Sequence, residues 1–190
     1  MSELPALRPS DEKQAEREQP QPAAEDHAAG RFDVPSGYRV LSGSSDGGRH
    51  AVAIVVAKFN GEITSRLLER ALEKLEEAGV EREAVTIVPV PGAFELPLAA
   101  IALAKSRRYA CIVALGCVIR GETPHFDYVA SEAASGLQLA AIETGVPVSL
   151  GVLTTESVEQ AEARIDRAAD AVQTALEMAG LFTQLRTAAK

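Results

Sequence analysis

Two hydrophobic rhythms alternate along most of this chain. From about residue 49, short unbroken apolar runs take turns with longer stretches in which apolar residues recur every three or four positions. Ala51–Ala57 (AVAIVVA) is rich in β-branched residues and reads as a strand buried on both faces, stopped by Asn60-Gly61. Between Glu62 and Ala78, the residues Ile63, Leu67, Leu68, Ala71, Leu72 and Leu75 make one helical stripe, which Gly79 ends. Ala84–Val90 reads as a second strand, Pro91-Gly92 as a turn, and Ala93–Lys105 as a mostly apolar helix. Lys105, Arg107 and Arg108 stand at its end, where basic residues complement the helix dipole.

Ala110–Ile119 (ACIVALGCVI) is a third buried strand. Thr123 is then placed to cap, and Pro124 to begin, a helix that reaches Thr144 and closes at Gly145. Pro147–Leu153 is a fourth strand. Ser157 with Gln160 makes a capping box, and the last helix is expected to run unbroken from about Ser157 to Ala179, before Gly180. The order βαβαβαβα predicts an α/β fold: a flavodoxin-like three-layer αβα sandwich around a four-stranded parallel sheet, with right-handed crossovers.

Residues 1–48 break this rhythm. Pro5, Pro9, Pro20, Pro22 and Pro35 are spread through Glu, Gln and Ala, with few large apolar residues. Such a stretch buries too little to offset its ordering entropy, so it reads as a disordered or extended arm in which Phe32–Val40 is the part able to dock. The expected organisation is this arm, a domain over 49–183, and a short C-terminal tail over 184–190.

Composition narrows the field. The chain has 190 residues, enough for one domain with a real core, and 46% apolar with 24% charged residues is ordinary for a soluble globular protein. A formal net charge of -8 argues against a nucleic-acid partner, yet a single Arg still suffices to hold one small phosphate. Cys111 and Cys117 stand six residues apart in one strand, roughly 20 Å, which is beyond disulfide reach. No Cys/His cluster suggests a metal. No apolar signal core and no run of membrane-spanning length is present, so the expected location is the cytoplasm, with no membrane partner.

In a parallel α/β sheet, ligands bind beyond the carboxyl ends of the strands. The segments there are Lys58-Phe59-Asn60, residues 89–95, residues 116–125 and residues 150–157, four loops expected to build one pocket. Two helix starts lie on that edge, after Thr123 and after Thr155, and their free amides suit an anion; Arg164 follows about two turns later. A phosphate site, or ordinary caps with a surface Arg, both fit. His125 is the single His of these loops, since His27 lies in the arm and His50 precedes the first strand. It is either a proton shuttle beside a phosphate or a capping histidine. Glu95, in an apolar setting, bonds either sugar hydroxyls or the amides of its own helix start. Phe59 is either a lid on a flat heterocycle or one more core aromatic. The chain has no Walker A loop, no GxGxxG, and no acidic cluster after the first strand to hold Mg²⁺.

Three long stretches carry more specific information: residues 88–97 (VPVPGAFELP), residues 115–129 (LGCVIRGETPHFDYV), and residues 151–156 (GVLTTE) followed by Glu159-Gln160-Ala161. In this order they closely resemble the lumazine synthase family of riboflavin biosynthesis, over about residues 49–183. The resemblance implies an enzyme that condenses 5-amino-6-(D-ribitylamino)uracil with 3,4-dihydroxy-2-butanone 4-phosphate to give 6,7-dimethyl-8-ribityllumazine. It implies that Phe59 stacks on the pyrimidine, and that Ala93, Phe94 and Glu95 hold the ribityl chain. Cys117, Val118 and Ile119 would meet the pyrimidine edge through backbone groups. Glu122, Thr123 and Arg164 would hold the phosphate, and His125 would transfer protons. No cofactor and no metal is implied.

Two departures stand out. Leu150 occupies a place where the family usually has Phe, on a wall facing a neighbouring subunit's ligand, so it keeps apolar cover and loses stacking. The family's Gly- and Lys-rich break between its last two helices is replaced by the shorter, Gly-free stretch 164–170, with Arg167 standing where a lysine is usual. The resemblance further implies homo-pentamers, with active sites between subunits, and in some members twelve pentamers joined in a sixty-subunit icosahedral shell. The rival readings are a member of the same family that binds flavin or lumazine without turnover, and one that keeps only the shell.

Overall fold

The structure, a computed structural model, describes residues 32–188. The chain divides into two units, Met1–Tyr38 and Arg39–Lys190. In the first, residues 32–35 have no regular structure and the chain turns at Ser36-Gly37, where Gly37 takes the left-handed φ of 95° that glycine tolerates best. The expected arm lies, over residues 1–31, outside the described residues, as do residues 189–190 of the expected tail.

The second unit has the expected α/β architecture. Strands β1 (Val52–Ala57), β2 (Val85–Val90), β3 (Cys111–Ile119) and β4 (Val148–Thr155) form one parallel sheet in the order β2-β1-β3-β4. Five helices accompany them: α1 (Gly61–Glu77), α2 (Leu96–Lys105), α3 (His125–Thr144), α4 (Val158–Glu162) and α5 (Arg167–Ala188). β1 is buried along its whole length and β3 over its first seven residues, as their continuous apolar runs require. β2, at an edge, is half exposed and tolerates Pro89.

Alternation of side chains across the sheet builds two cores. Val52, Ile54 and Val56 join Cys111, Val113 and Leu115 beneath α1 and α5. Ala53, Val55 and Ala57 join Ile112 and Ala114 beneath α2 and α3. The second core is built mainly of alanine where α2 and α3 cross, which brings these helices close to the sheet and to each other.

The last helical region differs from the sequence expectation. It is two helices, with a corner over residues 163–166 in place of one unbroken helix. The corner needs no glycine. Ala163 has right-handed dihedrals (φ -66°, ψ -7°), and tight i→i−3 bonds carry the chain through, Arg164 N to Ala161 O and Arg167 N to Arg164 O, both at 3.0 Å. Arg70 and Arg66 of α1 reach across to Asp166 (2.9 Å) and Glu162 (3.3 Å).

Gly180 also differs from expectation. α5 passes through it and continues to Ala188. Its place reflects close approach, since a Cβ there would meet the Ser44 backbone nitrogen at 3.0 Å and oxygen at 3.1 Å. The segment ahead of β1 lies against this helix and the end of α1: Gln184 donates to the Ser42 carbonyl at 2.6 Å, and Gly47 N–H donates to the carbonyl of Ala78, the C-cap of α1, at 2.9 Å. The start of α3 lies one residue later than expected. Pro124 takes the cap position, without a side-chain cap bond, and His125 opens the helix. Proline supplies the needed φ of -63° and has no N–H to satisfy, so the hydroxyl of Thr123 is not required for capping.

Both cysteines are buried and free. Burial pushes the Cys111 thiol from its ordinary 9.0 up to about 12, and the Cys117 thiol up to about 11. Above pH 9 the unfolded chain therefore loses thiol protons that the folded chain keeps, and stability falls as pH rises. Between pH 9 and 11, Cys111 is expected to remove about 2 to 3 kcal/mol of unfolding free energy. Denaturant titrations of the parent and of Cys111→Val check this: the variant should show the shallower decline, and parallel declines would show that the thiol is not responsible.

Candidate active site

The strand order creates the crevice. β1 connects outward to β2 on one side, and the chain then crosses back to β3 on the other. Connections diverge above the carboxyl ends of β1 and β3, which is where an open parallel sheet leaves room for a ligand. A cavity of about 560 Å³ lies there, within the usual range for small-molecule sites.

Three loops build it. After β1 come Phe59 and Asn60; after β2, Gly92, Ala93, Phe94 and Glu95; at and after β3, Cys117, Val118, Ile119, Gly121 and Thr123. The first turn of α3 adds His125, Phe126, Tyr128 and Val129. Four of the chain's eight aromatic residues (five Phe, three Tyr, no Trp) therefore meet here. Phe59 is 71% exposed and Phe94 57%, so neither is a core residue. Aromatic faces left open to water around one concavity are suited to a flat partner.

Asn60 was not singled out by the sequence reading. It sits in the left-handed region (φ 56°, ψ 47°) at the cap of α1, which Asn tolerates better than most residues. Its Nδ2 donates to the Cys117 carbonyl at 2.9 Å, tying the end of β1 to the end of β3 beneath the cavity. The signal was the Asn-Gly pair, which marks both a turn and a position of positive φ; the partner 57 residues away was not visible in it.

Glu95 closes a short 3₁₀ turn, Ala93–Glu95, that leads into α2. Its backbone N–H donates to the Gly92 carbonyl at 3.3 Å, and its carboxylate lies over Gly92, where a Cβ would come within 3.2 Å. That carboxylate has no hydrogen-bond partner among the described residues, so its lone pairs remain available to donors in the cavity.

The turn 121–124 and the start of α3 present His125 and Thr123 at the rim, both exposed. Arg120, just before the turn, is fully engaged. Its Nη1 and Nη2 donate to the two Asp127 oxygens at 3.1 and 3.0 Å, its Nε donates to Glu156 at 3.0 Å, and its guanidinium carbon lies 4.1 Å from the Phe126 ring centroid. These partners raise the Arg120 pKa further, and the guanidinium in turn holds the Asp127 carboxyl below its usual range.

Of the residues singled out from sequence, Phe59, Ala93, Phe94, Glu95, Cys117, Val118, Ile119, Thr123 and His125 share the cavity. Glu122, Leu150 and Arg164 do not line it. The four-loop pocket expected from the strand order is, within one chain, a three-loop cavity, because β4 is the outer strand beyond β3 and its loop lies on the far side of Arg120. Leu150 stands 55% exposed on β4. Arg164 sits at the α4–α5 corner, where its Nη1 donates to the Gln160 carbonyl at 2.9 Å. No carboxylate of the described residues forms an ion pair with it, so its charge is uncompensated. Ser157 does cap α4, accepting from Gln160 N at 3.3 Å, while the Gln160 side chain accepts from Glu156 N at 3.0 Å.

No group of metal-binding side chains occurs among the described residues, and no helix among them is long and apolar enough to cross a membrane. In comparison with known proteins, the family model described as 6,7-dimethyl-8-ribityllumazine synthase matches residues 49–183, the span that holds the sheet, its helices and the cavity.

Proposed function

Because the chain belongs to the 6,7-dimethyl-8-ribityllumazine synthase family, a family of transferases in riboflavin biosynthesis, we propose that it condenses 5-amino-6-(D-ribitylamino)uracil with 3,4-dihydroxy-2-butanone 4-phosphate. The observation that carries this reading is the convergence of an open aromatic face (Phe59), an unpartnered carboxylate (Glu95) and an imidazole (His125) on one cavity at the sheet's switch point. Phe59 covers the pyrimidine, and the backbone of Cys117–Ile119 meets its polar edge. Glu95 accepts hydrogen bonds from ribityl hydroxyls, with Ala93 and Phe94 lining the chain's path.

The free amides of residues 121–123, with Glu122 and Thr123, sit beside the phosphate. The amine attacks the ketone and water is lost as the imine forms. Inorganic phosphate then leaves by β-elimination as a proton is removed from carbon. The ribitylamino nitrogen closes the ring, with loss of a second water. Each step moves protons and none changes the overall redox state, so the chemistry calls for no redox cofactor. Most of the acceleration comes from holding two substrates in one orientation. His125→Ala is accordingly expected to lower kcat by about ten- to a hundredfold, at or below the low end of what a positioned acid–base group contributes. An unchanged kcat would remove His125 from proton transfer, and loss of all turnover would overturn the view that holding the substrates supplies most of the acceleration.

The same reading makes the site one that two subunits complete. Arg164 and Leu150 lie outside the cavity of their own chain, and Leu139, Ile142, Leu150 and Met178 leave apolar surface open to a neighbouring copy. A homo-pentamer supplies that neighbour, and native mass measurement reads the assembly directly, shell included. The two free thiols suit the reducing cytoplasm. The decisive assay mixes the purified protein with both substrates and follows lumazine fluorescence together with phosphate release. Equal amounts of both products support the proposal. Lumazine binding without phosphate release would make the chain a binding member of the family, and neither signal would overturn the reading.

A further inference from the structure

We propose that Arg120 is a positioning residue, whose guanidinium clamps the turn 121–124 and the start of α3 so that the keto-phosphate meets correctly aimed amides and His125. The inference rests on the function proposed above and concerns a residue to which that reading gives no role.

The geometry separates Arg120 from a phosphate ligand. Two carboxylates, Asp127 and Glu156, already occupy its fork and its Nε, at 2.9 to 3.1 Å. A phosphate would have to displace a bidentate carboxylate from a guanidinium that is already more than neutralised. The geometry also separates it from an ordinary surface ion pair. One side chain joins the end of β3, the first turn of α3 and the β4–α4 loop, and its own N–H donates to the Thr155 carbonyl at 2.9 Å. The guanidinium also stacks on Phe126, which lines the cavity beside His125. Between these anchors runs a turn whose residues Gly121, Glu122 and Thr123 are all exposed and make no side-chain hydrogen bonds of their own among the described residues. Nothing else on that turn holds its shape as firmly.

A clamp of this kind depends on the planar fork and not on charge alone, so lysine should not replace arginine. The test compares Arg120→Ala and Arg120→Lys with the parent, in the assembled protein. It measures kcat, the KM of each substrate, the Kd of inorganic phosphate by calorimetry, and hydrogen exchange over residues 127–131 in the first turns of α3. Both variants are expected to raise the KM of the keto-phosphate and the Kd of phosphate by about tenfold, the scale of one charge-assisted hydrogen bond. The KM of the ribitylaminouracil should stay within about twofold, Tm should move little as for exposed ion pairs, and exchange over 127–131 should quicken.

An Arg120→Lys protein equal to the parent would overturn the proposal, because charge alone would then suffice. So would an equal rise in both KM values with a lowered Tm, which marks a general loss of structure. If the parent protein forms no lumazine, the function reading fails by itself. Phosphate affinity and exchange then decide the clamp alone: unchanged values overturn it, and weakened affinity with faster exchange uphold it.

Discussion

Arg164→Ala is expected to cut kcat/KM for the keto-phosphate by about thirtyfold to a thousandfold, mostly through KM, which corresponds to about 2 to 4 kcal/mol for removing one partner of a desolvated charge pair. The magnitude follows from what surrounds this side chain. Most arginines in this part of the fold are spent: Arg66 on Glu162, Arg70 on Asp166, Arg120 on Asp127 and Glu156, Arg167 on Asp170. Arg164 bonds only a carbonyl, that of Gln160 at 2.9 Å, and is half-buried at a corner between helices. A cation held in place without a counter-charge is available to an anion. Steady-state kinetics with each substrate varied in turn checks this. A keto-phosphate KM equal to the parent's would take Arg164 out of the phosphate site, and a parallel loss for the pyrimidine would mean that the corner supports the assembly instead.

The largest effect on stability is expected from Leu96→Ala, at about 2 to 5 kcal/mol, because the site cannot collapse to fill the space. Leu96 is fully buried at the first position of α2, directly after Glu95. Its Cδ1 lies where a Cβ on Gly116 would come within 3.2 Å, so this one side chain spans from the 3₁₀ turn to the middle of β3. Most positions of this core are alanines, among them Ala53, Ala57, Ala93, Ala100 and Ala114, which have no long side chains to swing into a void. For a domain of this size Tm should fall by about 5 to 15 °C, read by calorimetry at fixed protein concentration. The pyrimidine KM should rise as well, since Phe94 and Glu95 lose their anchor. A Tm within a degree or two of the parent would show that the leucine is not the wedge between α2 and β3.

Much of the site was legible from one sequence because each of its parts combines a local backbone signal with a local chemical one. Pro-Gly before Ala-Phe-Glu marks a turn that must present its next residues, and Thr-Pro-His after a buried strand marks a helix start on the ligand-binding edge. Phe59 was ambiguous in sequence, since a single aromatic after a strand packs inward as easily as outward. Asn60 and Arg120 were not read as functional, because the groups that give them meaning, one backbone carbonyl and two carboxylates, lie 57, 7 and 36 positions away. The corner at 163–166 was missed for a different reason. The expectation relied on glycine as a helix breaker, and a tight right-handed turn needs none. Gly180 was misread by the same rule in reverse, where close approach to Ser44 and not helix termination calls for the missing side chain.

The sequence by itself determined the layers and the edge on which chemistry is displayed. Continuous β-branched runs favour strands of a parallel sheet, and amphipathic stripes between them favour helices that cover it. These are consequences of period and polarity, which are properties of neighbours along the chain. Tertiary structure alone decided which loops share a cavity, which arginine is paired and which is left without a counter-charge, and where the last helical region bends. Those outcomes depend on strand order and on contacts between residues far apart in the chain, and the free energy of such contacts is set by the geometry of the folded sheet.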